Sequence, residues 1–439
     1  MDRKPRKIPF SPPDVTEAEA NEVRDAILSG WITTGPRTKE LERRLSLFCN
    51  TPKTVCLNSA TAALEMALRL LGIGLGDEVI VPAYTYTATA SVISHVGATI
   101  VMVDSQSDSV EMDYEQLAAA ITERTKAIMP VDLAGICADI DKVVEVITRP
   151  DIAALFRPAN DLQRLIGRVA VCCDCAHSLG ATRHGRKAGE MADFSSFSFH
   201  AVKNLTTAEG GALTWHLPFG GDIVGSGQRC CGIDVPQVEG ETWDELLYRL
   251  CQLLSLHGQN KDALAKTRLG AWEYDIIGPW YKCNMTDIMA SIGLVQLSRY
   301  PDMLAKRQQY VAYMDSMIDR INSRLPQHRQ IARLCHSSAS HSSSRHLYII
   351  RLQGLTREEA NNVIVQMAEM GVATNVHYKP LPMMTAYKYL GFDISDYPNA
   401  YRLYENAVTL PLNTRMTMDD VAYVMDCLAD VVLATAQDL

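Results

Sequence analysis

The sequence predicts an α/β fold in which helices cover both faces of a mostly parallel sheet, followed by a smaller α+β domain. From Ser59 onward, short apolar runs alternate with segments whose apolar residues recur at helical spacing. The runs are apolar along their whole length, which is typical of parallel strands buried on both faces. With 439 residues, 47% of them hydrophobic, the chain can bury a large core in two or three domains.

The predicted elements begin with a helix over residues 60–72, which ends on a glycine stop. Strands follow this helix, and the last two of them, residues 193–199 and 211–215, have little helical pattern between them. The alternation of helix and strand therefore ends there. The predicted strands are residues 78–82, 98–104, 126–133, 168–174, 193–199 and 211–215. The glycine-rich stretch 217–240 is irregular, and we expect a long functional loop or insertion there.

The C-terminal third has its own pattern. A long helix over residues 286–322 is followed by a strand over 345–352 and a capped helix over 356–371. We therefore expect three parts in the chain. They are a large domain over 1–285, with an N-terminal arm and an insertion near 216–240, a connecting helix over 286–324, and a small α+β domain over 325–439.

Charge and composition exclude several classes of function. The net charge of −9 argues against a nucleic-acid binder, which normally carries a basic surface. The basic N-terminal stretch is too short for a secretory signal and no apolar run follows it. No run of about 18 apolar residues predicts a membrane helix. We expect a cytoplasmic protein whose 12 cysteines stay reduced.

Two stretches rich in cysteine or histidine raise the question of a metal site. The spacing in CCDCAH, residues 172–177, lacks the paired C-x-x-C pattern of structural zinc, so we interpret most of the cysteines as buried hydrophobic residues. The polar stretch HSSASHSSSRH, residues 336–346, is predicted to be a loop with solvated histidines. No metal site is predicted.

Lys203 lies between an aromatic, hydroxyl-rich run and an acidic double-glycine turn, in the stretch FSFHAVKNLTTAEGG. Lysine is usually a surface residue, so a functional interpretation of Lys203 requires partners for it. An amine that performs covalent carbonyl chemistry with a cofactor needs a phosphate anchor and an acid that keeps the cofactor ring protonated.

The sequence offers a candidate for each partner. NSATAAL, residues 58–64, lies at a strand-to-helix junction, where free N–H groups suit a phosphate, although Ser59 is equally well explained as an N-cap. Asp174 closes a strand at the edge where open α/β sheets bind ligands, although an isolated aspartate there is more often a cap or turn residue. Ser198 can add a hydroxyl group to the phosphate site. Together these residues describe a pyridoxal phosphate (PLP) site.

Longer motifs, in order along nearly the whole chain, resemble the DegT/StrS-type PLP-dependent nucleotide-sugar aminotransferases of the aspartate aminotransferase (fold type I) superfamily. The segments that carry the resemblance are GWITTGP (30–36), NSATAAL (58–64), VPAYTYTATA (81–90), DCAHSLGA (174–181), SFHAVKNLTTAEGG (198–211), YKCNMTDIMASIGLVQL (281–297) and VHYKPLP (376–382). The resemblance implies a PLP-binding large domain with a mostly parallel seven-stranded sheet, and a smaller α+β domain.

The resemblance implies catalytic roles for three residues. Lys203 would form the Schiff base with PLP and later shuttle a proton, Asp174 would pair with the pyridine nitrogen, and His177 would hydrogen-bond the phenolic oxygen of the ring. Departures from the family pattern include Asp132, where many relatives have histidine, and the stretches 146–168 and 216–240, which are longer than in compact relatives.

The resemblance also implies a set of residues that bind the cofactor. Tyr86 would stack on the ring, and the backbone of Ala60 and Thr61 would bind the phosphate together with the Ser198 hydroxyl. Ala60 replaces a glycine that is usual in the family. Asn284 matches an asparagine that reaches the phosphate of a neighbouring subunit, which implies a homodimer with shared sites.

The reaction implied by the resemblance moves an amino group from L-glutamate to C3 or C4 of a keto-deoxy nucleotide sugar, for the biosynthesis of a polysaccharide, glycan or natural product. Three alternatives stay open. A PLP sugar dehydratase is disfavoured because such enzymes replace the lysine with histidine, and a non-catalytic PLP-binding regulator is disfavoured because Lys203 and Asp174 are intact. An aminotransferase or synthase acting on a cyclitol or aromatic precursor is the third alternative, and the sequence does not exclude it.

Overall fold

The computed structural model describes residues 6–224, 229–236, 238–260 and 273–435. Parts of the expected N-terminal arm and of the insertion near 216–240 lie outside these ranges. The strands are β1 (Thr54–Leu57), β2 (Glu78–Pro82), β3 (Thr99–Val103), β4 (Thr125–Ile128), β5 (Ala170–Asp174), β6 (Thr182–Arg183), β7 (Arg186–Lys187), β8 (Phe194–Ser198), β9 (Gly211–Trp215), β10 (Arg229–Cys230), β11 (Ile233–Asp234), β12 (Ile331–Arg333), β13 (His341–Ser342), β14 (Tyr348–Leu352) and β15 (Ala407–Leu410).

Helices separate most of these strands, as the alternating pattern predicts. The α-helices are α1 (Glu17–Leu28), α2 (Pro36–Cys49), α3 (Ala60–Leu70), α4 (Thr87–His95), α5 (Tyr114–Ala120), α6 (Ile140–Ile147), α7 (Pro150–Ala153), α8 (Asp161–Ile166), α9 (Trp243–Ser255), α10 (Asp287–Asn322), α11 (Arg357–Glu369), α12 (Thr385–Tyr389), α13 (Pro398–Glu405) and α14 (Met418–Thr435). Short 3-10 helices cover Leu133–Gly135, Gln327–Arg329, Leu381–Met383 and Ile394–Asp396.

Seven strands form the main sheet, in the order β1-β9-β8-β5-β4-β2-β3. The pairs from β8 through β5, β4 and β2 to β3 are parallel, whereas β9 runs antiparallel to both β1 and β8. Strand side chains alternate between two apolar cores, with Val55 and Leu57 on one face of the sheet and Cys56 on the other. The mostly parallel, seven-stranded sheet covered on both faces confirms the predicted fold class.

A smaller antiparallel sheet, β12-β14-β15, lies in the C-terminal part of the chain. The 36-residue helix α10 packs against α1 and α2 in the N-terminal part and against α14 in the C-terminal part. Its start is fixed by the Thr286 hydroxyl, which accepts a hydrogen bond from the Met289 N–H. The helix therefore connects the two sheets, close to the bounds that the sequence predicts. No helix among the described residues is both long and apolar enough to cross a membrane.

The structure corrects the expectation that the histidines of residues 336–346 are solvated. His336 and His346 are both buried, and His341 alone of the three is partly exposed. The stretch folds back on the main body, because β13 pairs with β6 and the His346 N–H donates to the Ala134 carbonyl at 3.1 Å. The strand predicted from residue 345 begins at Tyr348 instead, since Arg345 has a φ of 55°, which a strand does not adopt.

The cysteines form no disulfide, and nine of the 12 are buried, which confirms their interpretation as core residues. Two of them, Cys173 and Cys175, lie close to the buried Asp132, with ligand atoms within 4.8 Å of one another. Hydrogen bonding to Cys175 and burial raise the pKa of Cys173, and burial raises that of Cys175. Burial therefore favours the protonated form of both thiols.

Candidate active site

The carboxyl ends of the parallel strands open onto a cavity of about 360 Å³. This position follows the general rule for ligand sites in open α/β sheets. Most of the residues singled out from the sequence line the cavity, although they are up to 143 positions apart in the chain. They are Ala60, Thr61, Tyr86, Asp174, His177, Ser198 and Lys203.

One end of the cavity is formed by the start of α3. The Ser59 hydroxyl accepts a hydrogen bond from the Ala62 N–H at 3.1 Å, so the serine is the N-cap. Gly211 lies directly beneath, and a Cβ atom built on it would be 2.3 Å from the Ala60 nitrogen. The helix start can therefore approach β9 only because residue 211 is glycine. The N–H groups of Ala60 and Thr61 belong to the first turn and lack intrahelical acceptors.

Asp174 lies at the end of β5 and is buried. Its Oδ2 accepts from the Thr89 hydroxyl at 2.7 Å, and its Oδ1 accepts from the Ala176 N–H at 3.1 Å. Burial raises the pKa of this carboxyl, while the two hydrogen bonds and the positive charge of Lys203 oppose the rise. The two hydrogen bonds thus fix the carboxylate at the cavity wall. A cation close to it would lower its pKa.

Lys203 projects its amine into the same cavity from the turn after β8. The backbone is fixed by a hydrogen bond from the Lys203 N–H to the His200 carbonyl at 2.9 Å. No described residue forms a hydrogen bond with the amine. Burial lowers its pKa to about 8, and Asp174 partly offsets that effect. An appreciable fraction of the amine is therefore uncharged near neutral pH, as a carbonyl nucleophile requires.

His177 is buried beside Asp174 and Lys203. Its Nε2 lies 3.2 Å from the Tyr378 hydroxyl, and its Nδ1 is a buried atom with no partner. Burial, Lys203 and His377 hold the pKa of the ring far below its usual range, so the imidazole is neutral. A buried nitrogen without a partner is uncommon, and its position in a cavity suits a ligand atom.

Asn284 does not line the cavity of its own chain. Its Nδ2 donates to the Thr34 hydroxyl at 2.5 Å, and its Oδ1 accepts from Lys282. Tyr86 does line the cavity, with 58% of its surface exposed and its ring centroid 5.9 Å from that of Tyr378. The contribution of Asn284 to a neighbouring subunit stays a prediction.

The sequence is matched by a known family. The sequence profile of the DegT/DnrJ/EryC1/StrS aminotransferase family matches residues 13–218 and 241–429. The chain belongs to this family. Family membership makes it an enzyme of the aminotransferase class with the fold type I architecture and PLP as its cofactor. The predictions of the family, the enzyme class, the fold and the cofactor are therefore confirmed.

Individual relatives of the aminotransferase support the same assignment. Spr1654 of Streptococcus pneumoniae, assigned as a sugar aminotransferase and solved in a PLP form, is 52% identical, with a TM-score of 0.86 over 97% of this chain and 99% of that one. The spore coat polysaccharide biosynthesis protein SpsC of Bacillus subtilis is 32% identical over 431 residues, 97% of each chain. PseC of Helicobacter pylori, at 24% identity and a TM-score of 0.78 over 99% of this chain and all of that one, shows the shared fold alone.

The opposite wall of the aminotransferase cavity was not identified from the sequence. It is formed by Phe10, His346, His377 and Tyr378, which come from the N-terminal arm and the C-terminal part of the chain. His377 and Tyr378 lie in the motif VHYKPLP, so a signal for them was present in the resemblance. Phe10 and His346 lie in stretches without a motif. No pattern of spacing could have placed them at the site.

Proposed function

We propose that this aminotransferase transfers an amino group from L-glutamate to the ketone of a nucleotide-linked deoxy sugar, in the biosynthesis of amino sugars. The observation that carries the proposal is the buried amine of Lys203, which shares one cavity with the Asp174 carboxylate and the start of α3. The names of the streptococcal and Bacillus relatives, a sugar aminotransferase and a polysaccharide biosynthesis protein, favour a sugar acceptor.

The residues present fit PLP. When bound, PLP supplies an aldehyde for Schiff-base chemistry and a ring that accepts electrons from the carbon atom that loses a proton. In our proposal, the N–H groups of Ala60 and Thr61 and the Ser198 hydroxyl hold its phosphate at the start of α3. Gly211 supports this site by letting β9 pack closely beneath the helix start.

Asp174 is proposed to hold the pyridine nitrogen in its protonated form. Burial raises the pKa of the carboxyl, but a cation within a few Å favours the ionised form. The Thr89 hydroxyl and the Ala176 N–H both donate to the carboxylate, so they stabilise its negative charge and fix its direction. The ion pair therefore forms with little rearrangement of the protein.

We propose two further roles at this site, covalent attachment and proton transfer for Lys203 and a hydrogen bond to the cofactor for His177. When PLP is bound, the Lys203 amine would hold it covalently, and the free amine would remove and return the proton at the reacting carbon. Burial keeps Tyr378 protonated by raising the pKa of its hydroxyl, so that the hydroxyl can donate to Nε2 of neutral His177. The His177 proton then lies on Nδ1, where it can donate to the phenolic oxygen of PLP.

The proposal includes an assembly and a location. Tyr86 stacks on the cofactor ring, and Asn284 contacts the phosphate bound by a second copy of the chain, so that the enzyme is a homodimer in the cytoplasm. The division into parts 1–285, 286–324 and 325–439 belongs to the same proposal. Small-molecule substrates enter from the side where Tyr86 is exposed.

The test is incubation of the purified holoenzyme with L-glutamate and a panel of 3-keto and 4-keto nucleotide sugars, with mass spectrometry of the amino-sugar product. We expect the amino product with one acceptor class and stoichiometric 2-oxoglutarate. Lys203→Ala should reduce turnover by at least about 10³-fold. Lys142→Ala removes an exposed lysine paired only with Glu145 and is the matched control.

Each contrary outcome is informative. Product formation by Lys203→Ala at the wild-type rate would contradict the assignment of the lysine. A wild-type enzyme that eliminates water from the sugar without transferring nitrogen would be a dehydratase. With keto-cyclitols added to the panel, amination of a cyclitol alone would identify a cyclitol aminotransferase, and PLP binding without conversion of any acceptor would favour a regulator.

A further inference from the structure

Three contacts connect residues 344–346 to the wall that carries Lys203 and His177. The Ser344 hydroxyl donates to the backbone carbonyl of His177. Asn204, which directly follows Lys203, donates from Nδ2 to the Ser344 carbonyl at 2.9 Å. The same asparagine lies with Oδ1 3.0 Å from Nδ1 of His346. One short segment thus fixes both the residue beside the lysine and the backbone of the histidine.

The hydrogen bonds of Asn204 define the tautomer of His346. A backbone carbonyl accepts only, so the Asn204 atom bonded to the Ser344 carbonyl is the amide nitrogen, and the other atom is the oxygen. The oxygen accepts a hydrogen bond, and among the described residues the atom within hydrogen-bond distance of it is Nδ1 of His346, which therefore carries the proton. Burial and the nearby Lys203 and His177 keep the ring neutral by lowering its pKa. Neutral His346 therefore has its proton on Nδ1 and a lone pair on Nε2.

His346 also packs directly against His177. The ring centroids are 4.4 Å apart and the ring planes meet at 39°. Tyr378 contacts the same ring at Nε2, with ring centroids 6.2 Å apart and planes at 13°. Two neighbouring rings therefore contact His177, while its Nδ1 has no hydrogen-bond partner among the described residues. The direction of that free nitrogen depends on both neighbours.

We propose that His346 is a positioning residue for amino transfer, which holds His177 by ring packing and the Lys203 turn through Asn204. The inference rests on the proposed function for its kinetic consequence but not for its geometry. His346 bonds to no reacting atom in this account. Its effect is to keep the His177 nitrogen and the Lys203 amine in one fixed relation to each other.

The first test is the tautomer of His346 in the wild-type holoenzyme. Protein labelled with ¹⁵N-histidine is measured by long-range ¹H–¹⁵N NMR, and the His346 signals are identified by their loss in His346→Asn. We expect the Nδ1–H tautomer, with no change to the imidazolium between pH 6 and pH 8. An Nε2–H tautomer, or a ring that becomes charged in this range, overturns the proposal.

The second test separates positioning from folding. In His346→Asn the amide nitrogen can still donate to Asn204, whereas His346→Leu loses both the donor and the aromatic contact. We expect kcat with L-glutamate to fall about 10- to 100-fold in His346→Leu, less in His346→Asn, and KM to change less than about threefold in both. The His177 NMR signals should shift in both variants.

The matched control is His336→Asn. His336 is a buried histidine of the same segment that bonds to Ser343 and stacks on Tyr348, and it does not line the cavity. We expect the His336→Asn variant to have a lower melting temperature and an unchanged kcat. Equal loss of kcat in the control, or wild-type kcat in His346→Leu, overturns the proposal. If the wild-type enzyme transfers no amino group, the proposed function fails, and the NMR result still decides the geometry.

Discussion

The two walls of the cavity differ in how they are built. The sheet wall consists of residues at strand ends and helix starts, such as Ala60, Asp174 and Ser198, together with Lys203 in the turn after β8. The opposite wall consists of side chains from segments that are far apart in the chain, Phe10 near the N-terminus and His346, His377 and Tyr378 in the C-terminal part. The residues proposed to contact the cofactor thus lie next to strand ends and helix starts, which have local sequence signals. The residues that shape the rest of the cavity are brought there by tertiary packing.

The walls also differ in charge. The sheet wall contains the cation Lys203 and the carboxylate of Asp174. The opposite wall contains histidines that the protein keeps uncharged, and burial together with Lys203 lowers the pKa of His377 to about 4. We therefore expect substitutions in the sheet wall to change the chemical step, and substitutions in the opposite wall to change orientation and binding.

The largest effect is expected for Asp174→Asn. An amide cannot stabilise a protonated pyridine nitrogen, so the electron sink is weakened and kcat should fall by about 10³-fold or more. The measurement is single-turnover transfer from L-glutamate. Asp132→Asn is the control, because Asp132 is a buried aspartate near the same sheet edge that does not line the cavity. If both variants lost activity to the same extent, damage to the fold would explain the loss in Asp174→Asn, and the proposed role of its carboxylate would not be supported.

The next effect concerns the amine of Lys203 in the cofactor-free protein. Its pKa of about 8 gives, at pH 7, on the order of 100-fold more free amine than an ordinary lysine. Only the uncharged form is acylated, so labelling followed by peptide mass spectrometry should show half-maximal reactivity of Lys203 near pH 8. Labelling of the exposed Lys142 should still increase above pH 10, because Glu145 raises its pKa. Identical pH profiles of labelling for Lys203 and Lys142 would contradict the lowered pKa of Lys203.

The same contrast explains what could be predicted from the sequence. Strand β2 was predicted to the residue and α10 to within one residue, because apolar runs and an N-cap are local signals. Asp174 and Lys203 could be found because they adjoin such elements. His346 was assigned to solvent because its neighbours are serines, and the contacts that bury it come from Ala134, His177 and Asn204.

A moderate effect is expected for Gly211→Ala, which tests the phosphate end of the sheet wall. The new methyl group would lie 2.3 Å from the Ala60 nitrogen, so the start of α3 and β9 must move apart. We expect PLP affinity to fall about tenfold or more, measured by titration of the cofactor-free protein. Gly74→Ala is the control, since its added Cβ has only an ordinary contact of 3.5 Å with the Val96 carbonyl. Unchanged affinity for PLP in Gly211→Ala would place the phosphate elsewhere.

The smallest effect is expected for Phe10→Ala on the opposite wall. Phe10 lines the cavity and stacks on His377, with ring centroids 5.6 Å apart and planes at 18°. Its removal widens the cavity without touching the charged groups, so KM for the sugar substrate should rise about three- to tenfold while kcat changes less than about twofold. Phe48→Ala, a partly buried phenylalanine that does not line the cavity, is the control. A fall in kcat with unchanged KM would show that the arm acts on the chemical step, and the division of labour between the two walls would then be wrong.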